Sequence, residues 1–442
     1  MLQSKRKFAI ILSAAAVVLL FAPSVSAAGD THGLEPFVLL GLAAMLLAAK
    51  VCGEIFERFG QPAVLGELAA GIVLGNLALF GLGWAEPLKT NQVIAALAEL
   101  GVIILLFEVG LETNLDEMRA VGWSSFLVAV LGVIVPFFLG WGVAQWFIPE
   151  EHFLAKLFIG ATLCATSVGI TARVLKDIGK LDTPAARIVL GAAVVDDVLG
   201  LIILAVIQGV IKATGSGEAV SVLGFALIAV KAFGFLALAL AVGRLLMPRL
   251  VKGVGRFEGR GVLLSMGLAF CFVMAWLAGL VGLAPIVGAF AAGLILDEVH
   301  FEAVARHEKK DLEDLLAPVS VVFVPIFFVL MGLKVNLKEL ARPELLGFAA
   351  ALTLAAIIGK QVCALGVLEK GVNRLSVGLG MIPRGEVGLI FAGIGATLML
   401  PNANGVPERV INEATFGAIV IMVLVTTLVT PPALKWALGS KS

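Results

Sequence analysis

Two adjacent aspartates lie in the middle of a long apolar segment. The run from Ile188 to Ile211 contains Asp196 and Asp197, and its only other polar side chain is Gln208. A carboxylate at the centre of a membrane helix costs about 2.5–3.5 kcal/mol or more, and such groups mark ion or proton pathways. The pair therefore predicts a site that binds a proton or a cation. The alternative is a purely structural buried ion network.

A lysine in a second apolar segment lies at a matching depth. Lys360 is the only charged residue between Glu344 and Glu369. Asp196 is nine residues from Arg187, and Lys360 is nine residues from Glu369. At about 1.5 Å per residue, each lies roughly 13 Å from the inner surface. Neighbouring helix residues point about 100° apart, so Lys360 can neutralise one aspartate while the other stays free to bind an ion.

The composition indicates an all-α polytopic membrane protein. Of 442 residues, 60% are hydrophobic and 14% are charged, with a mean hydropathy of +1.06. Soluble domains are about 45–50% apolar and about 25% charged. A net charge of zero gives no reason to expect a nucleic-acid partner. The four cysteines and four histidines have no metal-ligand spacing, so no cofactor is expected.

The apolar segments predict thirteen transmembrane helices joined by short loops. Their centres lie near residues 46, 71, 101, 134, 164, 197, 233, 270, 289, 323, 357, 386 and 425. Residues 1–27 carry basic residues, an apolar stretch and small residues before Ala27, which is typical of a signal peptide. An uncleaved first helix is the alternative. Lys and Arg are about threefold more frequent in one set of loops, which places the mature N-terminus outside and the C-terminus inside.

The sequence contains an internal repeat. "GELAAGIVL" at 66–74 matches "GAFAAGLIL" at 288–296, and "GLETNL" at 110–115 matches "GLKVNL" at 332–337, both at an offset of 222 residues. The matches pair the second span with the ninth and the third with the tenth. Seven crossings separate each pair, so the copies have inverted topology. Inverted repeats are a mark of secondary transporters, whose site lies at broken helices near the midplane.

Two spans in corresponding positions are predicted to be broken. The fifth carries "CATSVGIT" (164–171), and the twelfth carries "MIPRGEVG" (381–388) with Pro383 in its middle. An ordinary proline kink is the alternative. Arg384 and Glu386 beside this break are expected to satisfy each other and the loosened backbone, in a structural role. A gating role is the alternative. Glu67 is expected to be packed or to line a cavity.

With these segments, the chain resembles the second family of monovalent cation:proton antiporters, and within it the bacterial NapA-type sodium/proton antiporters. The resemblance rests on "GQPAVLGELAAGIVLGN" (60–76), "LLFEVGLETNL" (105–115), "CATSVGITARVL" (164–175), "GAAVVDDVLGLIIL" (191–204), "LAPIVGAFAAGLIL" (283–296), "IGKQ" (358–361) and "GMIPRGEVGLIFA" (380–392). One position departs from the pattern, because Glu108 stands where an apolar residue is expected. The role of Glu108 stays open.

The resemblance implies a fold and an assembly. The fold would be that of the NhaA- and NapA-type antiporters, working as an elevator in a homodimer in the bacterial inner membrane. Residues 36–111 and 250–333 would form the dimerisation scaffold, and residues 121–210 and 344–438 the ion-translocating core. Residues 220–247 would form a linker helix.

The resemblance also implies roles for individual residues. Asp197 would carry the ion, Asp196 would pair with Lys360, and Thr166 and Ser167 would be candidate Na⁺ ligands. Hard cations favour such oxygen donors. The implied activity is electrogenic exchange of cytoplasmic Na⁺ or Li⁺ for external H⁺, with no enzymatic reaction.

Three other functions were weighed. A K⁺/H⁺ antiporter or K⁺ efflux system has the same fold but often carries a nucleotide-binding domain, and no such domain is expected in this chain. An intramembrane aspartyl protease needs two carboxylates that share a proton, whereas neighbours on one helix diverge. A passive channel needs no titrating carboxylate.

Overall fold

A computed structural model describes residues 35–112, 122–180, 183–215, 222–254, 261–297, 311–401 and 406–439. The predicted signal peptide at residues 1–27 lies outside the described residues. The described part is almost entirely helical, with one short antiparallel hairpin. Its helices are α1 (Pro36–Arg58), α2 (Ala63–Gly75), α3 (Gln92–Glu112), α4 (Trp123–Phe147), α5 (Phe153–Thr162), α6 (Val168–Asp177), α7 (Pro184–Gly215), α8 (Val222–Val254), α9 (Val262–Leu280), α10 (Pro285–Asp297), α11 (Leu312–Leu333), α12 (Leu337–Leu340), α13 (Pro343–Cys363), α14 (Arg374–Gly380), α15 (Gly385–Gly395) and α16 (Glu413–Gly439). The hairpin strands are β1 (Met399–Pro401) and β2 (Pro407–Arg409).

The helices confirm an all-helical, multi-pass membrane protein. Within the described residues, eight helices are long and apolar enough to cross a bilayer. The bent pair of α14 and α15, with 45° between its halves, would make a ninth crossing. Each predicted centre falls within a helix or at the break between two helices. The count of thirteen crossings stays a prediction, because several of these helices are shorter than a bilayer-spanning length.

The chain divides into two compact units. The first comprises the described residues up to Val102 together with Val319–Leu340. In this unit α1 packs along α2. The side chain of Asn76, at the end of α2, donates to the carbonyl oxygen of Val335 at 2.8 Å and accepts from the backbone N–H of Leu337 at 3.0 Å. Asn76 thereby ties the end of α2 to the chain that follows α11.

The second unit comprises Ile103–Pro318 and the chain from Ala341 onward. Here α4 packs against α5, α7 and α13, and α13 also packs against α16. The long helix α8 contacts α7 on one side and α10 on the other. This arrangement places the helices that carry the sequence-predicted site around α4 and α13. The predicted division into scaffold, core and linker stays a prediction.

The internal repeat appears as matched helix crossings. In the first unit, a Cβ on Gly71 would lie 2.8 Å from the Cα of Gly332. In the second unit, a Cβ on Gly110 would lie 3.1 Å from the Cα of Gly293. Gly71 and Gly293 are 222 residues apart, and so are Gly110 and Gly332. The second contact is therefore the repeat counterpart of the first. Small residues at such crossings let helix backbones approach closely.

The repeat extends further than the sequence matches. A Cβ on Gly66 would lie 2.5 Å from the carbonyl carbon of Cys52, and a Cβ on Gly288 would lie 2.5 Å from the carbonyl carbon of Met274. Cys52 and Met274 are again 222 residues apart. The first and eighth predicted spans therefore belong to the repeat as well.

Candidate functional site

A fully buried ion pair joins α7 to α13. The Nζ of Lys360 donates to the Oδ1 of Asp196 at 2.8 Å, and neither side chain has any exposed area. Helix α4 makes room for the ammonium group, since a Cβ on Gly132 would lie 3.2 Å from the Nζ of Lys360. Asp196 and Lys360, which were predicted to lie at the same depth, are thus in direct contact. Helix α4 packs beside the pair at Gly132.

Asp197 presents a free carboxylate oxygen next to this pair. Its Oδ1 atom is buried and accepts no hydrogen bond from the residues that the structure describes. Its carboxylate interacts electrostatically with Asp196, Glu386, Lys360 and Glu112. The residue as a whole is only partly buried. Among the described residues, Asp197 therefore has no ion-pair partner of the kind that Asp196 has in Lys360.

The two helix breaks meet each other in the second unit. Between α5 and α6, the backbone N–H of Ser167 donates to the carbonyl oxygen of Pro383 at 2.8 Å. The Ser167 hydroxyl donates to the Oε2 of Glu386 at 2.7 Å. The Thr166 hydroxyl is 3.4 Å from the carbonyl oxygen of Met381. Both candidate Na⁺ ligands are buried at the crossover, and neither hydroxyl is hydrogen-bonded to Asp197.

Arg384 and Glu386 do not pair with each other, contrary to the expectation from the sequence. Arg384 is fully buried and donates to the carbonyl oxygens of Cys164 at 3.1 Å and Ala165 at 2.8 Å, while Glu386 accepts from Ser167. The reason is the helix ends themselves. The last carbonyls of a helix lack intrahelical donors and favour a cation, whereas a helix N-terminus favours an anion. Arg384 therefore serves the carbonyl oxygens of the non-helical segment that directly follows the C-terminal end of α5.

Glu386 sits in the first turn of α15, where the same rule favours its charge. Each charged residue of the break is thus matched to a different helix end. The part of the expectation that holds is that Arg384 satisfies loosened backbone groups, with its third hydrogen bond going to the carbonyl oxygen of Ala356 at 3.3 Å.

The remaining acidic candidates lie apart from this centre. Glu67 belongs to the first unit, where it is buried on α2 with an unpartnered Oε2 and interacts electrostatically with Lys50. Glu112 is exposed at the end of α3 and interacts electrostatically with Glu108 and with Glu386. Glu112 therefore interacts with the site through the electrostatic repulsion between its carboxylate and that of Glu386.

Sequence reasoning missed the contacts by which three residues shape the site. The Thr171 hydroxyl donates to the carbonyl oxygen of Gly380 at 2.6 Å, which adds a further link between the two broken spans. Gly385 adopts φ +30°, and a Cβ there would lie 2.5 Å from the Oγ of Ser167. Gly132 leaves space for Lys360. For Gly385, the glycine within "PRGE" was a visible signal in the sequence. The roles of Thr171 and Gly132 depend on contacts between distant segments.

The arrangement offers oxygen ligands and one uncompensated negative charge. A bare carboxylate oxygen can hold a proton or a hard cation, but one oxygen lone pair cannot hold both. Hydroxyl and carbonyl oxygens at the breaks are the ligand type that hard cations take. The buried Lys360 keeps the neighbouring carboxylate neutralised. The site therefore has the ligand types that suit either a proton or a hard cation.

Comparison with known proteins gives a consistent result. The family model "Sodium/hydrogen exchanger, transmembrane" matches residues 41–438. The high-affinity Na⁺/H⁺ antiporter NhaS3 of Synechocystis is 40% identical over 439 residues, covering 90% of this chain and 89% of the relative. The Na⁺/H⁺-K⁺ antiporter GerN of Bacillus cereus is 34% identical, covering 90% and 96%. An Na⁺/H⁺ antiporter of Enterococcus hirae is 32% identical, covering 90% and 97%.

A solved structure shares the fold. The sodium proton antiporter MjNhaP1 of Methanocaldococcus jannaschii superposes with a TM-score of 0.67, covering 91% of this chain and 97% of that chain. The two sequences are 17% identical. This likeness concerns the fold alone.

Proposed function

Because the chain belongs to the transmembrane sodium/hydrogen exchanger family, we propose that it exchanges cytoplasmic Na⁺ or Li⁺ for external H⁺. The membrane would be a bacterial inner membrane, with the mature N-terminus outside and the C-terminus inside. The relatives named above as Na⁺/H⁺ antiporters support the activity. The excess of Lys and Arg in the inner loops supports the orientation.

The observation that carries the proposal is the bare carboxylate oxygen of Asp197. It lies beside a buried Asp196–Lys360 pair and accepts no hydrogen bond from the described residues. An uncompensated carboxylate at this depth would be unfavourable without a bound proton or cation. We take Asp197 as the group at which Na⁺ and H⁺ compete. Thr166 and Ser167 at the crossover supply further oxygen ligands.

Alternating access would move the site between the two sides of the membrane. In this proposal the core, residues 121–210 and 344–438, moves against a scaffold formed by residues 36–111 and 250–333. The contacts of α8 with α7 and with α10 suit a connecting helix at residues 220–247. The scaffold would mediate a homodimer.

Exchange at this site would be electrogenic. A cation that binds Asp197 displaces the proton held there. If the cation also draws Asp196 away, Lys360 loses its anionic partner and can release a second proton. More than one H⁺ would then enter for each Na⁺ that leaves, so a membrane potential that is negative inside would drive Na⁺ out.

Transport by purified protein in proteoliposomes tests the proposal. We expect added Na⁺ or Li⁺ to dissipate an imposed pH gradient, and Asp197→Asn to abolish this response while the protein still folds. Glu86→Gln is the matched control, because it makes the same chemical change at a residue that pairs with Lys89 near the surface. Retention of cation-driven exchange by Asp197→Asn would overturn the proposal.

A second candidate is K⁺/H⁺ exchange, which the name of the relative GerN favours. Oxygen ligands do not by themselves separate Na⁺ from K⁺. The same vesicles with K⁺ as the added cation decide between the two. A response to K⁺ that equals the response to Na⁺ would favour the second candidate.

A further inference from the structure

The residues of the second helix break are arranged around Ser167. The carbonyl oxygen of Pro383 accepts the backbone N–H of Ser167 at 2.8 Å. Gly385 provides the space, since a Cβ there would lie 2.5 Å from both the Cβ and the Oγ of Ser167. The Oε2 of Glu386 accepts the Ser167 hydroxyl at 2.7 Å. Three residues within four positions thus fix one serine.

The hydrogen bond to Glu386 decides what Ser167 can offer to an ion. A serine hydroxyl has one proton and two lone pairs, and its proton rotates to suit its partners. An ionised carboxylate only accepts hydrogen bonds. While the Ser167 hydroxyl donates its hydrogen bond to Glu386, the Ser167 oxygen presents only lone pairs to its other neighbours. A cation requires that orientation of its ligand.

Glu386 is also a charge near the ion carrier. Its carboxylate interacts electrostatically with Asp197 and with Glu112. Glu386 could therefore influence cation binding in two ways, by orienting Ser167 or by its own charge. The two ways predict different behaviour when Glu386 and Ser167 are changed together.

We infer that Glu386 is a positioning residue for cation binding, which holds the Ser167 proton so that the serine oxygen faces the transported cation as an acceptor. This inference rests on the proposed function, since it presumes that the cation binds beside Asp197. It gives Glu386 a role beyond supporting the helix break. It also explains why Gly385 and Pro383 hold Ser167 so closely, because an oriented hydroxyl needs a fixed serine.

The test is a double-mutant cycle on the Na⁺ dependence of exchange in proteoliposomes. A hydrogen bond to a charged group contributes enough for roughly a tenfold change in affinity or more. We expect Glu386→Leu, which has no acceptor, and Ser167→Ala each to raise the apparent KM for Na⁺ about tenfold, with a maximal rate within about twofold of the parent. The apparent KM of the double variant should not exceed the higher of the two single-variant values, because both changes remove the same interaction.

Two further variants separate the explanations. Glu386→Asp keeps the charge but shortens the reach to Ser167, so it should resemble Glu386→Leu. Thr171→Val removes another hydroxyl that links the breaks, without a carboxylate partner. We expect it to lower the melting temperature and leave the KM for Na⁺ unchanged, which distinguishes a loosened break from a misoriented ligand.

The outcomes that overturn the inference differ from those that overturn the proposed function. Multiplying effects of Glu386→Leu and Ser167→Ala, together with parent-like behaviour of Glu386→Asp, would show that Glu386 acts by its charge alone. An equal rise in KM for Thr171→Val would show a general loss of structure. Exchange that survives Asp197→Asn would instead remove the proposed function itself.

Discussion

Removing Lys360 should destabilise the protein through Asp196. The two side chains form a 2.8 Å ion pair with no exposed area. Breaking a buried pair by removing one partner costs about 3–5 kcal/mol, because the other charge is left uncompensated. Lys360→Gln leaves Asp196 in that state. Lys360→Gln should therefore lower the melting temperature markedly.

Adding Asp196→Asn should recover part of this stability, because no lone charge then remains buried. The assay is a double-mutant cycle on the melting temperature of the purified protein in detergent. Residues in contact typically show a coupling of about 0.5–3 kcal/mol, and we expect this pair near the upper end. Removing a titrating charge from the transport cycle should also change how exchange in proteoliposomes responds to an imposed membrane potential.

A second ion pair provides the matched control. Lys89 and Glu86 are also 2.8 Å apart, but their side chains are 24% and 47% exposed. Exposed pairs contribute about 0–1 kcal/mol, so Lys89→Gln with Glu86→Gln should be almost additive. Strictly additive effects for Lys360 and Asp196, like those of the control, would refute the reasoning that burial makes this pair strong.

Three other predictions follow from the packing and from the loop between α4 and α5. Gly132→Ala should displace the Lys360 ammonium, which would lie 3.2 Å from the new Cβ, and slow exchange, whereas Gly142→Ala on the same helix meets no atom within 4 Å and should not. Gly71→Ala should lower the melting temperature by forcing α2 and α11 apart, while Gly279→Ala, which also meets nothing within 4 Å, should leave it within a degree or so of the parent. Burial raises the pKa of Glu151, so the folded state binds that proton more tightly and stability falls as pH rises through the raised pKa. Glu151→Gln should raise the melting temperature above that pH and leave it unchanged at low pH, as a pH series of melting curves would show.

Much of the fold follows from hydropathy and spacing. The centres of the spans are set by apolar length, which a single sequence displays directly. The matched depth of Asp196 and Lys360 also required only counting from the charged helix ends. Their 2.8 Å contact is consistent with that count. Depth is predictable because a helix rises by a constant amount per residue.

The partners of the break residues were not predictable from the sequence. Arg384 and Glu386 are two positions apart and have opposite charge, so a local reading pairs them. In the structure Arg384 contacts the carbonyl oxygens of Cys164 and Ala165, and Glu386 contacts Ser167. Those partners come from a segment about 220 residues earlier. Local charge complementarity carries no information about which helix end is nearby.

At two places in the structure, a residue lies against its own counterpart in the repeat. "SVG" at 167–169 aligns with "EVG" at 386–388, at an offset of 219, and the first residues of the two triplets, Ser167 and Glu386, touch. In the first unit a Cβ on Gly101 would lie 2.9 Å from the carbonyl carbon of Phe323, its counterpart 222 residues away.

A residue that contacts its own repeat counterpart lies on the local two-fold axis that relates the copies. The two residues that meet on this axis need not be identical. Their contact occurs only once in the molecule, so one residue can change without the other. One copy supplies a hydroxyl at the axis and the other a carboxylate. Under the proposal above, divergence of Ser167 and Glu386 at that point would turn two similar helix breaks into one asymmetric site, with the oxygen ligand on one half and its orienting charge on the other.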